Sequence, residues 1–172
     1  MPNEDVVERK AALRRELRAV RTAISADVPE RSRRSHQIWD GVVELVLVRL
    51  RRRRPVLTIM LFESTPTEPD TSWWYEDARQ RGWHTFTPEV DGPDLHVMPG
   101  RLDPMLLDVV VFPGLGFTPE GARLGQGGGH YDRFAARIDG ICLRIGACYA
   151  EQVVDELPTE PHDQRVDAVI SA

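Results

Sequence analysis

The chain has 172 residues, enough for one domain with a sizeable core but few for two. Hydrophobic residues make up 41% and charged residues 28%, which argues against a disordered, collagen-like or coiled-coil protein. No apolar run approaches the roughly 20 residues of a membrane span, and no basic and apolar leader opens the chain. Two cysteines, Cys142 and Cys148, lie in an apolar run and cannot form a disulfide framework. We therefore expect a cytoplasmic protein without a membrane partner.

The net charge of -5 hides a basic amino-terminal part. Residues 1–54 hold 14 of the 22 basic residues, including the run from Arg51 to Arg54, and Lys10 is the only lysine. The basic residues lie on helical segments among acidic neighbours, without the interleaved aromatic residues that stack on nucleic-acid bases. An arginine-rich helix face is usually solvated, so we expect no nucleic-acid partner.

The spacing of apolar residues predicts two helices at the start of the chain. Apolar residues recur at helical spacing over 5–24, and again up to about Leu50. Either Ser25 or Asp27 can cap the second helix, and Pro29 suits its first turn.

Strands and helices alternate in the rest of the chain. Strands are predicted over 56–62, 83–87, 106–112, 141–148 and 166–171, and helices over 72–81, 130–138 and 151–156. Thr71 can cap the helix over 72–81, and Gly82 ends it. The stretch 91–104 is rich in proline, glycine and aspartate, which predicts a loop with a short strand over 95–98.

This alternation predicts the fold class. We expect one α/β domain over 1–172, built on an open, mostly parallel sheet with helices on both faces, a Rossmann-like three-layer arrangement. The helical pair of residues 1–54 is expected to pack on this α/β core.

The strand over 106–112 leads into a loop that contains seven glycines, at 114, 116, 121, 125, 127, 128 and 129. In open α/β sheets ligands bind beyond the carboxyl ends of strands, where the backbone N–H groups of a glycine loop can converge on phosphate oxygens. Arg123 adds a bidentate phosphate donor, and Asp132 a carboxylate for a nucleotide-bound magnesium ion. The pattern is neither a Walker loop nor a dinucleotide fingerprint, and composition alone fits a tight turn without a ligand equally well.

The amino-acid sequence of this loop contains a motif that is specific to one protein family. Pro113-Gly-Leu-Gly-Phe117, followed by Gly121-Ala-Arg-Leu-Gly-Gln-Gly-Gly-Gly-His-Tyr-Asp-Arg133, resembles the signature of the 5-formyltetrahydrofolate cyclo-ligase family, also called 5,10-methenyltetrahydrofolate synthetases. Further segments agree in order and spacing: Lys10-Ala-Ala-Leu-Arg14, Glu68-Pro-Asp-Thr71 and Leu157-Pro-Thr-Glu-Pro-His-Asp163.

The resemblance implies an enzyme that uses ATP and Mg²⁺ to convert 5-formyltetrahydrofolate to 5,10-methenyltetrahydrofolate. We also expect the enzyme to be a monomer. In this reaction ATP phosphorylates the formyl oxygen, and N10 then closes the ring. The implied catalytic residues are Arg123 and Asp132, and the implied magnesium ligands are Asp132 and Asp163. The implied ATP contacts are Lys10, Arg14, Arg123, Gly125, Gln126, Gly127, Gly128, Gly129, His130 and Tyr131, and those to the reduced folate are Glu63, Glu68 and His130.

Three features depart from the family pattern. The segment 91–104 is shorter than in family members, where it carries a loop that helps to enclose the substrate. His130 stands where tyrosine is common, and Trp83 where lysine is frequent. Two alternatives therefore stay open: a relative that uses the same ATP site on another formyl or amide substrate, and a non-catalytic folate- or nucleotide-binding protein. Each residue also has an ordinary structural interpretation, for example a solvated helix face for Lys10 and Arg14.

Overall fold

The computed structural model of the chain describes residues 4–50 and 56–172. The arginine run over 51–54 and the proline that follows it lie outside the described residues. Helix α1 covers Glu4–Ser25 and helix α2 covers Val28–Leu50, which confirms the two predicted helices. Asp27 caps α2, since its Oδ1 accepts a hydrogen bond of 3.0 Å from the backbone N–H of Glu30. The Ser25 hydroxyl instead donates to the carbonyl of Thr22.

The remaining helices and strands follow in alternation. The strands are β1 (Thr58–Met60), β2 (His84–Asp91), β3 (Asp94–Met98), β4 (Val109–Phe112), β5 (Gly116–Phe117), β6 (Arg123–Leu124), β7 (Leu143–Cys148) and β8 (Ala168–Ser171). Helix α3 covers Ser72–Gln80 and α4 covers His130–Ala135, and two 3-10 turns cover Pro104–Leu106 and Ala150–Gln152.

Six of these strands form one sheet in the order β3-β2-β1-β4-β7-β8. All neighbouring pairs in it are parallel except β2 and β3, which pair antiparallel at one edge. The predicted open, mostly parallel sheet is therefore confirmed. None of the helices in the described residues is long and apolar enough to cross a membrane.

Helices cover both faces of this sheet, as predicted. On one face, α2 and α3 bury a core in which Trp39 and Trp74 stack with ring centroids 5.4 Å apart. Trp83 lies at the edge of this core, 7% exposed and edge-on to Trp39. On the other face, Phe134 of α4 packs with Phe112 at the end of β4. The central strands β1, β4 and β7 are largely buried between these layers, which explains why β4 is apolar throughout.

Helix α1 has a different place, because it packs on the glycine loop. Leu17 is 3% exposed and clusters with Leu115 and Leu124. Its Cδ1 lies so close to Gly116 that a Cβ there would come within 2.7 Å. The loop predicted over 113–129 contains the short hairpin of β5 and β6, which was not predicted.

The short strand predicted over 95–98 is confirmed as β3, but the residues before it form a hairpin with β2, which was not predicted. β2 does not end at Pro88 but continues to Asp91 and turns back through Gly92 into β3. Pro88 is tolerated because the β1 register ends at Phe86, so no strand on that side needs a proline N–H. Gly92 has a φ of 58°, which suits this tight turn.

Several helix boundaries and caps also differ from those predicted. Thr71 does not cap α3 with its side chain, because its hydroxyl donates to the carbonyl of Phe62. Asp70 does so instead, with Oδ1 accepting from the Ser72 N–H at 3.0 Å. Helix α4 ends at Ala135, three residues earlier than predicted, and the predicted helix over 151–156 is only the 3-10 turn Ala150–Gln152.

Candidate functional site

A cavity of about 260 Å³ lies beyond the carboxyl end of β4. Helix α1, the glycine loop, the start of α4 and the segment before β8 contribute to its wall. The predicted site residues on this wall are Lys10, Arg14, Glu68, Arg123, Gly125, Gln126, Gly127, Gly128, Gly129, His130, Tyr131, Asp132 and Asp163. The structure thus brings together residues that are up to 153 positions apart.

The Arg123 side chain is held in the cavity wall by several contacts. It is 8% exposed, and its Nη2 lies 3.0 Å from Oδ1 of Asp132. Its Nη1 donates to the carbonyl of Pro113 at 3.1 Å. The guanidinium also lies over two aromatic rings, 5.9 Å from the centroid of Phe112 and 5.6 Å from that of Tyr131. Its orientation is therefore set before any ligand arrives.

The Tyr131 side chain is held as a neutral phenol. Burial raises its pKa well above the ordinary range, and the nearby Glu68 carboxylate raises it further against the opposing effect of Arg123. At neutral pH the hydroxyl therefore keeps its proton and can donate or accept a hydrogen bond.

Lys10 also lines the cavity and binds two carboxylates. Its Nζ donates to Oε2 of Glu160 at 2.7 Å and to Oδ2 of Asp163 at 2.6 Å. Burial alone would lower the pKa of Lys10, but the hydrogen bonds to Asp163 and Glu160 outweigh it and raise the pKa. The ammonium is therefore charged at neutral pH.

These carboxylates also form a candidate metal group. Ligand atoms of Glu160, His162 and Asp163 all lie within 4.8 Å of one another. Asp132 is tied to the same segment, because its Oδ1 accepts a hydrogen bond of 3.2 Å from the backbone N–H of Gln164. Carboxylate oxygens suit Mg²⁺, and in this structure the Lys10 ammonium lies between those of Glu160 and Asp163. Glu160 was not predicted as a site residue, although it lies inside the segment 157–163.

Arginines of α1 hold the glycine loop in place. Arg14 Nε donates to the carbonyl of Gly125 at 3.0 Å, and its guanidinium lies beside Gly127, whose φ is 112°. One turn further along α1, Arg18 Nη2 donates to Oε1 and to the carbonyl oxygen of Gln126, at 3.0 and 3.2 Å. Arg18 was not predicted, although it follows Arg14 at helical spacing.

The β2–β3 hairpin is fastened to the start of α4. The His130 ring nitrogen Nε2 lies 3.2 Å from the carbonyl oxygen of Gly92. Arg133 donates twice to the carbonyl of Pro93, at 2.9 and 2.6 Å. The hairpin also adds Val90 to the cavity wall. The shortened segment 91–104 thus reaches the site through the turn of this hairpin.

The two predicted folate carboxylates lie in different environments. Glu68 is 7% exposed and lines the cavity. Its Oε1 lies 3.1 Å from Nη1 of Arg21, and its Oε2 accepts from the Thr65 N–H at 2.9 Å. Glu63 does not line the cavity, and its side chain is exposed.

Comparison with known sequences agrees with the motifs. Residues 97–172 match the sequence model of the 5-formyltetrahydrofolate cyclo-ligase family. The 5-formyltetrahydrofolate cyclo-ligase of Saccharomyces cerevisiae is 39% identical over 71 residues, which cover 38% of this chain and 34% of the yeast protein. The Mus musculus enzyme of the same name is 35% identical over 72 residues, with 37% and 34% covered. The matched part thus spans about a third of the length of these curated relatives.

Comparison with solved structures extends the likeness to nearly the whole chain. A 5,10-methenyltetrahydrofolate synthetase from Mycoplasma pneumoniae superposes with a TM-score of 0.81 at 25% identity, covering 94% of this chain and 97% of that one. The synthetase of Aquifex aeolicus gives a TM-score of 0.75 at 25% identity, with 94% and 89% covered. The resemblance to this family is therefore confirmed, and it includes the α/β fold.

Proposed function

We propose that this protein converts 5-formyltetrahydrofolate to 5,10-methenyltetrahydrofolate with ATP as co-substrate. The observation that carries the proposal is the composition of one cavity. Lys10 and Arg14 face it from α1, Arg123 from the glycine loop, and Glu68 from the loop after β1. The cavity wall thus carries cationic side chains that can bind a polyphosphate and a carboxylate that can bind a pterin ring. All four groups come from one chain, so the proposed site draws them from a single copy, and we propose that the enzyme is a monomer.

The first chemical step is phosphoryl transfer. The formyl oxygen attacks the γ-phosphorus of ATP, the bond to ADP breaks, and the formyl group becomes a phosphate ester. Catalysis of such a step is mostly positioning and charge stabilisation. Arg123 is suited to it, because its guanidinium is buried and already oriented by Asp132 and Pro113. Backbone N–H groups over 125–129 are proposed to surround the same phosphate, with Gln126, His130 and Tyr131 beside them.

Asp132 and Asp163 are proposed to hold Mg²⁺, with Glu160 and His162 close to Asp163. A magnesium ion bound there would neutralise charge on the nucleotide phosphates. Lys10 bonds to Asp163 and Glu160, so its ammonium also lies where phosphate charge would gather. This chain's residues thus supply positive charge from Lys10, Arg14 and Arg123 around one polyphosphate.

The second step closes the ring. N10 attacks the activated formyl carbon, the carbon–oxygen bond to phosphate breaks, and the N10 proton is released. Glu68 is proposed to accept hydrogen bonds from the N–H donors of the pterin, which fixes the folate while the ring closes. The fixed Glu68 side chain, bonded to Arg21 and Thr65, supports this role.

The test is an absorbance assay. Purified protein, 5-formyltetrahydrofolate, ATP and Mg²⁺ should develop the near-ultraviolet absorbance of the methenyl product, with one ADP formed per product. ATP use only with other formyl or amide compounds would favour the relative with an altered substrate. Folate or nucleotide binding with no turnover would favour the binding protein. Either outcome contradicts the proposal.

A further inference from the structure

A buried ion pair joins α1 to the loop that carries Glu68. Arg21 lies two turns beyond Arg14 on α1, and its Nη1 is 3.1 Å from Oε1 of Glu68. The side chains are only 6% and 9% exposed. The other carboxylate oxygen, Oε2, accepts from the Thr65 N–H. Both oxygens of Glu68 are therefore fixed by the protein.

This pair is costly to bury, which suggests a role beyond packing. A buried ion pair often stabilises a protein no better than apolar residues of similar volume. The Nε of Arg21 is also buried and has no hydrogen-bond partner among the described residues, which adds a desolvation cost. Arg21 does not line the cavity. Any effect of it on a ligand must therefore act through Glu68.

We propose that Arg21 is a positioning residue for the folate side of the reaction, an inference that rests on the proposed function. Arg21 holds the Glu68 carboxylate in one orientation, so that its free lone pairs face the pterin donors. Because Arg21 shares α1 with Lys10 and Arg14, it also ties the folate carboxylate to the helix that carries the nucleotide cations.

Arg31 of α2 provides a matched control. Its Nε donates to the backbone carbonyl of Glu68 at 2.9 Å. It therefore fastens the same loop without touching the carboxylate. Replacing Arg31 removes a hydrogen bond to the backbone of the Glu68 loop, whereas replacing Arg21 removes the ion-pair partner of the Glu68 carboxylate.

The first test is kinetic. Arg21→Met should raise the KM for 5-formyltetrahydrofolate about 10- to 100-fold and change the KM for ATP less than about twofold. Arg21→Lys keeps the charge and should restore part of the folate KM, and it also serves if Arg21→Met does not fold. In a Glu68→Gln background, Arg21→Met should add nothing, whereas Arg31→Met should add its full effect. A parallel rise of both KM values, or an undiminished Arg21→Met effect in the Glu68→Gln background, would overturn the proposal.

The second test needs no folate. Hydrogen exchange of the Thr65 amide should be about tenfold faster in Arg21→Met, while amides of β4 keep their protection. If the wild-type protein has no activity on folate, the proposed function fails, but this exchange rate still reports whether Arg21 orders Glu68. An unchanged Thr65 rate would show that Arg21 does not position the carboxylate, even in an active enzyme.

Discussion

Replacing Arg123 by alanine perturbs the proposed transition state most directly. The change removes an almost fully buried guanidinium that makes an ion pair of 3.0 Å with Asp132 and a hydrogen bond of 3.1 Å to the carbonyl of Pro113. Loss of one preorganised donor to a developing charge costs about 10²- to 10³-fold in kcat, and loss of an arginine from a phosphoryl group about 10³- to 10⁵-fold. We expect a fall in kcat of about 10³-fold, equivalent to about 4 kcal/mol.

The same change should leave the protein folded. Asp132 is 16% exposed and keeps the hydrogen bond from the Gln164 N–H, so its lost partner should cost about 1–2 kcal/mol. Thermal unfolding followed by circular dichroism checks this. Arg123→Lys keeps the charge but not the fork of donors and should have an intermediate kcat.

The assay is methenyl formation at saturating ATP and folate. Arg165→Ala is the matched control, because Arg165 is exposed and outside the cavity, where it donates to the carbonyl of Glu120. It should turn over like the wild type. A folded Arg123→Ala protein with a kcat within a few fold of wild type would refute the proposed role of Arg123.

Other expected outcomes concern stability. The pKa of Lys10 is raised above 10.5, so its ion pairs stabilise the fold below about pH 10.5 and lose this effect as pH rises through the folded-state pKa. The Tm of Lys10→Met should therefore fall less than that of the wild type as pH rises through this range. An equal fall in Tm for the two proteins would contradict this expectation. Gly121→Ala should cost at least about 2 kcal/mol more than Gly82→Ala in denaturant unfolding. Both glycines have a φ near 80°, but only at 121 would a Cβ meet a carbonyl oxygen, at 2.0 Å. Trp74→Ala should cost about 3–5 kcal/mol and Ile141→Ala, at a 64% exposed site, far less; equal costs would contradict the assigned core.

The main elements of the fold could be predicted because their sequences have a clear period. Helices α1 and α2 repeat apolar residues at helical spacing, and β4 is apolar throughout. The strand over 95–98 could be predicted, but the continuation of β2 past Pro88 could not, because proline is common at strand ends. A proline ends a strand only where its N–H is needed, and that depends on which neighbour lies alongside.

The candidate site could be predicted only in part. The glycine motif located Arg123 and Asp132, but no sequence pattern indicates that Lys10 bonds to Glu160, 150 residues away. The buried pair of Arg21 and Glu68 is likewise a tertiary contact between separate elements. Such contacts arise from the packing of α1 against loops, which has no local signal.

The central claim is that ATP phosphorylates the formyl oxygen, and the fate of that oxygen tests it directly. 5-Formyltetrahydrofolate labelled with ¹⁸O in the formyl group should be converted with unlabelled ATP and Mg²⁺ in unlabelled water. The account predicts one ¹⁸O atom in each inorganic phosphate, detected by the isotope shift in ³¹P NMR. Unlabelled phosphate, with the ¹⁸O released into water, would contradict it.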